Sequence, residues 1–237
     1  MALQKFIFKF LLAFAGVCLY ILHDGTLAKA IVIYLFAGAV MFFSTVGYHR
    51  WVTHNAVDAT LLGKFVFYFS MISINLINPI SYAIIHRTHH KYSDTDKDPQ
   101  GPALGFWNVL VGNFSTIKLA VPVRDLYRKK DLVFVDRYYY RLYILVLAIF
   151  ALIDIDLFLL SFAFIPFQYH IRNGIFNYIA HGGSKVSGPQ NLSSLLRLGE
   201  QLHKNHHDNP GNGYYGRVSA LNFDIGYYIL RGLFLIK

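Results

Sequence analysis

Apolar positions in this chain fall into long runs separated by short polar breaks. Residues 6–22 form one run, with Lys9 as its one charged residue, that stops at His23-Asp24-Gly25, and residues 27–47 form a second containing a single lysine, Lys29. A helix needs about 20 apolar residues, with a range of roughly 17–25, to cross the hydrocarbon core of a bilayer. The two runs therefore predict a helical hairpin. Lys5 and Lys9 give the first run the outline of a signal peptide, but no small-residue cleavage site follows and the second run begins at once, so a retained anchor is expected. A second apolar pair, 142–153 and 157–171, flanks the polar turn Asp154-Ile155-Asp156. With their flanks these runs predict spans at 138–153 and 157–179. The expected fold is an all-α integral membrane protein, with four transmembrane helices in two hairpins and a single domain over 1–237.

Charge orients the hairpins. Of 22 Lys and Arg residues only Lys29 lies near the predicted turns; the others sit at the chain start, after the second run or after the fourth. The positive-inside rule then puts both termini and the long middle segment in the cytoplasm, whether the membrane is a bacterial inner membrane or the endoplasmic reticulum. Residues 61–85 are apolar enough to suggest another crossing, yet Lys64, Asn75, Asn78 and Pro79 interrupt them. A full crossing would also separate histidines on its two sides. A re-entrant or interfacial segment, its broken backbone covered by protein, is expected instead.

Composition narrows the chemistry. The chain is 55% hydrophobic and only 15% charged, well away from an ordinary soluble domain. The net charge of +9 suits a cytosolic surface facing anionic lipid and acidic protein partners. The basic residues are scattered through loops without a nucleic-acid-binding motif, so no nucleic-acid partner is expected. The one cysteine, Cys18, excludes an intrachain disulfide and a cysteine-held metal centre. A bound metal would be held by nitrogen and oxygen.

Nitrogen ligands are abundant. In His86-Arg87-Thr88-His89-His90 and His203-Lys204-Asn205-His206-His207 the histidines at i, i+3 and i+4 share one helical face, so each segment can aim three imidazoles at one small volume. His49 and His54 are five apart, which turns about 140° on an α-helix. They would diverge unless the helix ends or they serve different ions. Asn177 and His181 are four apart at the end of the fourth predicted span. These clusters together exceed the needs of one ion, and imidazole suits iron, zinc and copper. The lone His23 and His170 are expected to be hydrogen-bonded core or interface residues. Arg50, Arg87 and Lys91 are either contacts for a substrate phosphate or solvated bases, and Trp51, Trp107 and Tyr138-Tyr139-Tyr140 are expected as interfacial anchors.

The order H-x4-H, H-x2-H-H, N-x3-H, H-x2-H-H resembles the membrane fatty-acid desaturases of the acyl-CoA and acyl-lipid type. Gly47-Tyr48-His49-Arg50 is similar to the first box of that family, and His89-His90 followed by Lys91 to Pro99 to the second box and its acidic tail. Gly199-Glu200 before His203 and Asn209-Pro210-Gly211 after His207 are similar to the surroundings of the last. The likeness covers roughly residues 46–231. It implies a di-iron site in a cytosolic helical cap, with His49, His54, His86, His89, His90, His181, His203, His206 and His207 as ligands and Asn177 completing the shell, directly or through a water.

The resemblance also implies an activity. Two irons, O2 as co-substrate and two electrons would place a cis double bond, of Δ9 type, in a saturated acyl chain carried as acyl-lipid, acyl-CoA or acyl-carrier-protein. An apolar tunnel from the bilayer side would hold the chain, with residues of 36–43 and 65–74 as candidates for its lining. The chain contains no His-Pro-Gly-Gly haem motif and no cysteine set. The electrons are therefore expected from a separate donor, an acidic ferredoxin or cytochrome b5. Two other functions fit parts of the pattern: a membrane di-iron hydroxylase of alkanes, sterols or carotenoids, and a metal transporter or sensor with ligands along a mid-membrane path.

Overall fold

The computed structural model describes residues 2–23, 25–112, 121–192, 198–216 and 223–237, and every regular element among them is helical. Asp24, one residue of the first predicted turn, lies outside them. Helix α1 (Ala2–Leu22) leads into α2 (Leu27–Val46), whose first turn is capped by the Thr26 hydroxyl accepting from the Lys29 amide. At the other hairpin α7 (Lys130–Ile153) and α8 (Ile155–Ala180) are joined through Asp154. Its carboxylate caps α8 by accepting from the amides of Asp156, at 2.8 Å, and Leu157.

The two turns meet. Lys29 Nζ lies 2.7 Å from an Asp154 oxygen and also bonds Asp156, while the His23 ring lies 3.1 Å from Asp156. Helix α1 packs along α8, and α7 packs against α8 on another side. Both α2 and α8 therefore start at the turn end and run to the opposite end, where His49 and His181 stand. At 1.5 Å per residue the 26 residues of α8 cover about 39 Å. Among the described residues two helices, α1 and the continuous helix Leu27–Thr53, are long and apolar enough to cross a membrane.

The predicted break within 61–85 is present. Helix α3 (Leu61–Ser73) stops, Asn75 takes φ of 46°, and α4 (Pro79–Tyr92) restarts with Pro79 in its first turn behind an extended Asn78. A broken backbone inside an apolar bundle needs partners for its polar groups. The Asp136 carboxylate of α7 accepts from the Ile80 amide at 2.7 Å. Tyr139 donates to the Met71 carbonyl at 2.8 Å, and Tyr48 donates to that of Ile77. Tyr139→Phe removes two buried hydrogen bonds, the one given to Met71 and the one accepted from Tyr48, a cost of about 1–2 kcal/mol because Tyr48 keeps the Ile77 carbonyl as its partner. Thermal unfolding in detergent should show a midpoint lower by roughly 2–8 °C; an unchanged midpoint would mean that the tyrosine does not support the break.

Two expected anchors are thereby corrected. Tyr139 is buried, and so is Trp51, which packs on Phe67 and Tyr68. Both serve the contact of α3 with the end of α2, whereas Tyr140 and Trp107 remain exposed. The short helices α5 (Phe106–Leu110), α6 (Arg124–Tyr127), α9 (His203–Asp208) and α10 (Ile225–Gly232) complete the described elements together with single 3-10 turns. Near the chain end Leu235 passes so close to Gly63 that a Cβ there would lie 1.9 Å from its carbonyl oxygen.

Candidate metal centre

The nine clustered histidines converge from four elements into two adjoining groups. His49, His54, His86, His90 and His206 form one, and His89, His181, His203 and His207 the other, with the candidate ligand atoms of each group within 4.8 Å of one another. The two H-x-x-H-H segments lie on α4 and α9 and exchange their middle residues. His86 and His90, one turn apart, are joined by His206, while His203 and His207 are joined by His89. The i and i+4 rings of each helix thus serve one group and the i+3 ring the other. His181 enters from the end of α8, where it is the C-cap.

His49 and His54 stay together, contrary to the divergence expected of an α-helix. After Val46 the backbone widens into a π-helix, Gly47–Thr53, and the His54 amide donates to the His49 carbonyl at 3.2 Å. That is an i to i+5 bond, which stacks residues five apart. The two ring centroids are 5.2 Å apart. Gly47 permits the widening next to α3, since a Cβ there would press on Phe67 and Met71 at 3.1–3.2 Å.

Four rings are held from behind. Nδ1 of His49 lies 2.8 Å from Glu200 Oε2, that of His86 2.9 Å from Gln100 Oε1, that of His89 2.9 Å from Asp98 and that of His181 3.0 Å from Asp94. A proton held on Nδ1 by such a partner leaves the Nε2 lone pair facing inward and makes it a better donor to a metal. Inside, Nε2 atoms meet at close range: His49 and His206 at 2.8 Å, His206 and His90 at 2.9 Å, His181 and His203 at 2.8 Å. His54 Nε2 is buried without a hydrogen-bond partner. Burial first, and repulsion among neighbouring rings second, hold His54, His86, His90, His203, His206 and His207 below the ordinary imidazole range. Neutral rings aiming lone pairs at one another repel unless a cation lies between them. The donor set fits two transition-metal ions.

Acidic side chains are also buried here, and they form the outer layer. Burial pushes the Glu200 carboxyl up, but Arg50 and His49 overcome it and hold its pKa at about 2. Burial likewise opposes ionisation of Asp98, and hydrogen bonds from His89 and from the amides of Gln100 and Asp94 bring it below the usual range. Arg50 is no phosphate contact. It is fully buried, with Nε 2.7 Å from Glu200, Nη1 2.7 Å from Asp224 and its guanidinium carbon 3.9 Å above the Tyr215 ring. Arg87 is engaged too, by Asp125 at 2.6 Å and the Thr53 carbonyl at 2.8 Å. Lys91 alone of the three stays exposed.

Glu200 and the acidic tail Asp94 to Asp98 were visible in the motif surroundings. Gln100 and Asp224 carried no signal, because each is a single polar residue whose partner lies far along the chain or in a turn. His23 and His170 fall outside both groups, on Asp156 and Lys9 respectively. Asn177, one turn before His181, lines a cavity of about 50 Å3 beside His49, His86, His203 and Glu200. A second cavity, about 310 Å3, shares Thr45, Tyr169, Asn173 and Glu200 with the first and extends along α2 past Phe42, Met41, Gly38 and Leu35. Of 36–43, Gly38, Met41 and Phe42 line this cavity, and none of 65–74 lines either one.

The sequence profile described as fatty acid desaturase matches residues 26–219. A Delta-9 acyl-lipid desaturase 1 of Arabidopsis thaliana is 25% identical over 229 residues, covering 89% of this chain and 72% of its own length. An sn-1 stearoyl-lipid 9-desaturase of Synechocystis is 24% identical over 194 residues, 75% of this chain and 59% of its own. A Delta-9 desaturase-like 2 protein of Arabidopsis thaliana is 35% identical over a shorter stretch of 63 residues, 27% of this chain and 21% of its own.

Proposed function

The chain belongs to the fatty acid desaturase family, and on that premise we propose that it is an O2-dependent acyl desaturase that places a cis double bond of Δ9 type in a lipid-linked saturated chain. The observation that carries this is the pairing of a five-histidine with a four-histidine group, both with inward lone pairs, beside a cavity that runs toward the apolar face of α2. The similarity to Delta-9 acyl-lipid desaturases supports a lipid-linked acyl substrate and is the reason for proposing the Δ9 position.

In this proposal one ion is held by His49, His54, His86, His90 and His206, and the other by His89, His181, His203 and His207, with Asn177 completing the smaller group directly or through a water. Two irons so held would supply O2 activation and hydrogen abstraction from an unactivated methylene pair, the balance being one saturated chain, one O2, two electrons and two protons to one alkene and two waters, with two of the four water hydrogens coming from the chain. The protein's share is orientation. Glu200, Asp98 and Asp94 fix three imidazoles and neutralise part of the metal charge, and Gln100 fixes a fourth. Thr45, Tyr169 and Asn173 line both cavities, and an acyl chain reaching the metals from α2 would pass beside them. The narrow inner cavity would exclude bulk water from the reacting carbons.

The proposed setting is a multi-pass protein with α7 and α8 as the third and fourth spans and the metal centre on the cytosolic face. Electrons come from a separate acidic donor, a ferredoxin or cytochrome b5, guided by the basic surface. Expression in a host of known lipid composition, with its electron donor present, should yield a new monoene detected by mass spectrometry with double-bond localisation. The product should disappear with His89→Ala. Unchanged lipids would overturn the desaturase proposal, and a hydroxylated acyl chain would replace it with hydroxylation.

A further inference from the structure

A cavity of about 470 Å3 opens on the flank of the bundle between α1, α7 and α8. Its long walls are apolar, built from Phe8 and Leu12 of α1 and Phe162 and Phe167 of α8, and Phe8 and Phe162 are exposed on the outer surface. Its polar lining is of another kind. Lys5 and Lys9 lie four apart on one face of α1 and line it together with Gln4, Asn75 and His170, and among the described residues no acidic side chain lines it.

Lys9 Nζ stands 2.6 Å from His170 Nε2. An ammonium can only donate, so the ring accepts through its lone pair and is uncharged. The contact satisfies one hydrogen bond and supplies no negative charge. Lys9 to Leu22 spans about 20 Å at 1.5 Å per residue, within the roughly 30 Å of hydrocarbon that α1 would cross. Charges at such depth are rare, and a compensating partner accompanies those that persist. A soluble anion would meet apolar walls on its way in, whereas an anion carrying its own hydrocarbon chains would match the whole lining.

We propose that this cavity binds an anionic phospholipid of the surrounding bilayer, its phosphate diester accepting hydrogen bonds from Lys5 and Lys9 and one acyl chain lying along Phe8, Leu12, Phe162 and Phe167. The site is distinct from the metal centre. His170 is nevertheless a wall of both this cavity and the small one beneath the histidines, so the bound lipid would buttress the floor of the inner cavity.

The test is native mass spectrometry of the purified full chain in a neutral detergent, titrated with dioleoyl-phosphatidylglycerol. One tightly retained adduct is expected. It should weaken at least tenfold in Lys5→Gln/Lys9→Gln, persist in Lys5→Arg/Lys9→Arg, and be unaffected by Lys130→Gln at the exposed start of α7. The lipid-free glutamine variant should melt no lower than the parent, because two like charges have left an apolar wall. Equal binding by parent and glutamine variant overturns the proposal. So does loss in the glutamine variant that arginine does not restore. Retention of oleate in place of the phospholipid would assign the site to a carboxylate, and displacement by inorganic phosphate alone would assign it to a soluble anion; either result overturns the phospholipid.

Discussion

Arg50→Met should lower stability by on the order of 3–5 kcal/mol, because it leaves two buried carboxylates without the cation that permits their burial. Glu200 and Asp224 both bond the Arg50 guanidinium at 2.7 Å, and Asp224 is fully buried. A protein of this size would lose roughly 6–20 °C of melting temperature. A second consequence separates this network from a generic core defect. Glu200 also holds the His49 ring, and partners of metal-ligating rings contribute about 10–100-fold in metal affinity. Metal loss on dialysis should therefore accelerate in Arg50→Met and also in Glu200→Gln, which keeps the volume and one hydrogen bond. An Arg50→Met protein that melts as the parent does and keeps its metal would show that the guanidinium does not organise this layer.

That network also marks where the sequence stopped being informative. The apolar runs and their breaks gave both hairpins, because a 20-residue run has few alternatives in length or environment. The break at Asn75 to Pro79 was equally legible, since proline and asparagine act on the local backbone. His86, His89 and His90 declared a shared face by spacing alone. The two groups did not, because which ring joins which ion depends on how α4 and α9 face each other. The π-helix at His49 was hidden for a related reason: Gly47 allows it, but only the packing of α3 and the pull of the site make the wider turn favourable. Arg50 misled most. A base beside a ligand reads as exposed until its counter-charges, Glu200 and Asp224, are found more than a hundred residues later.

The uneven split of the histidines makes the two proposed ions separable. His206→Ala reduces the larger group from five rings to four, a number that still satisfies a four-coordinate ion. His203→Ala reduces the smaller group from four to three, leaving Asn177 or water to complete it. Iron per chain, about two in the parent, should fall toward one in His203→Ala and stay between one and two in His206→Ala. Both variants should lose desaturation by a factor of at least 10³, since removal of one metal ligand disturbs charge stabilisation at the reacting atoms as well as occupancy. The Arg50 layer behind His49 predicts a further difference. Ion loss from His203→Ala should leave the melting temperature within a few degrees of the metal-free parent, because Glu200, Asp224 and Arg50 remain paired without it. Metal analysis and melting on the same samples check both points: equal iron in the two variants would sink the division into five and four, and a parent with one zinc and no iron would sink the di-iron centre itself.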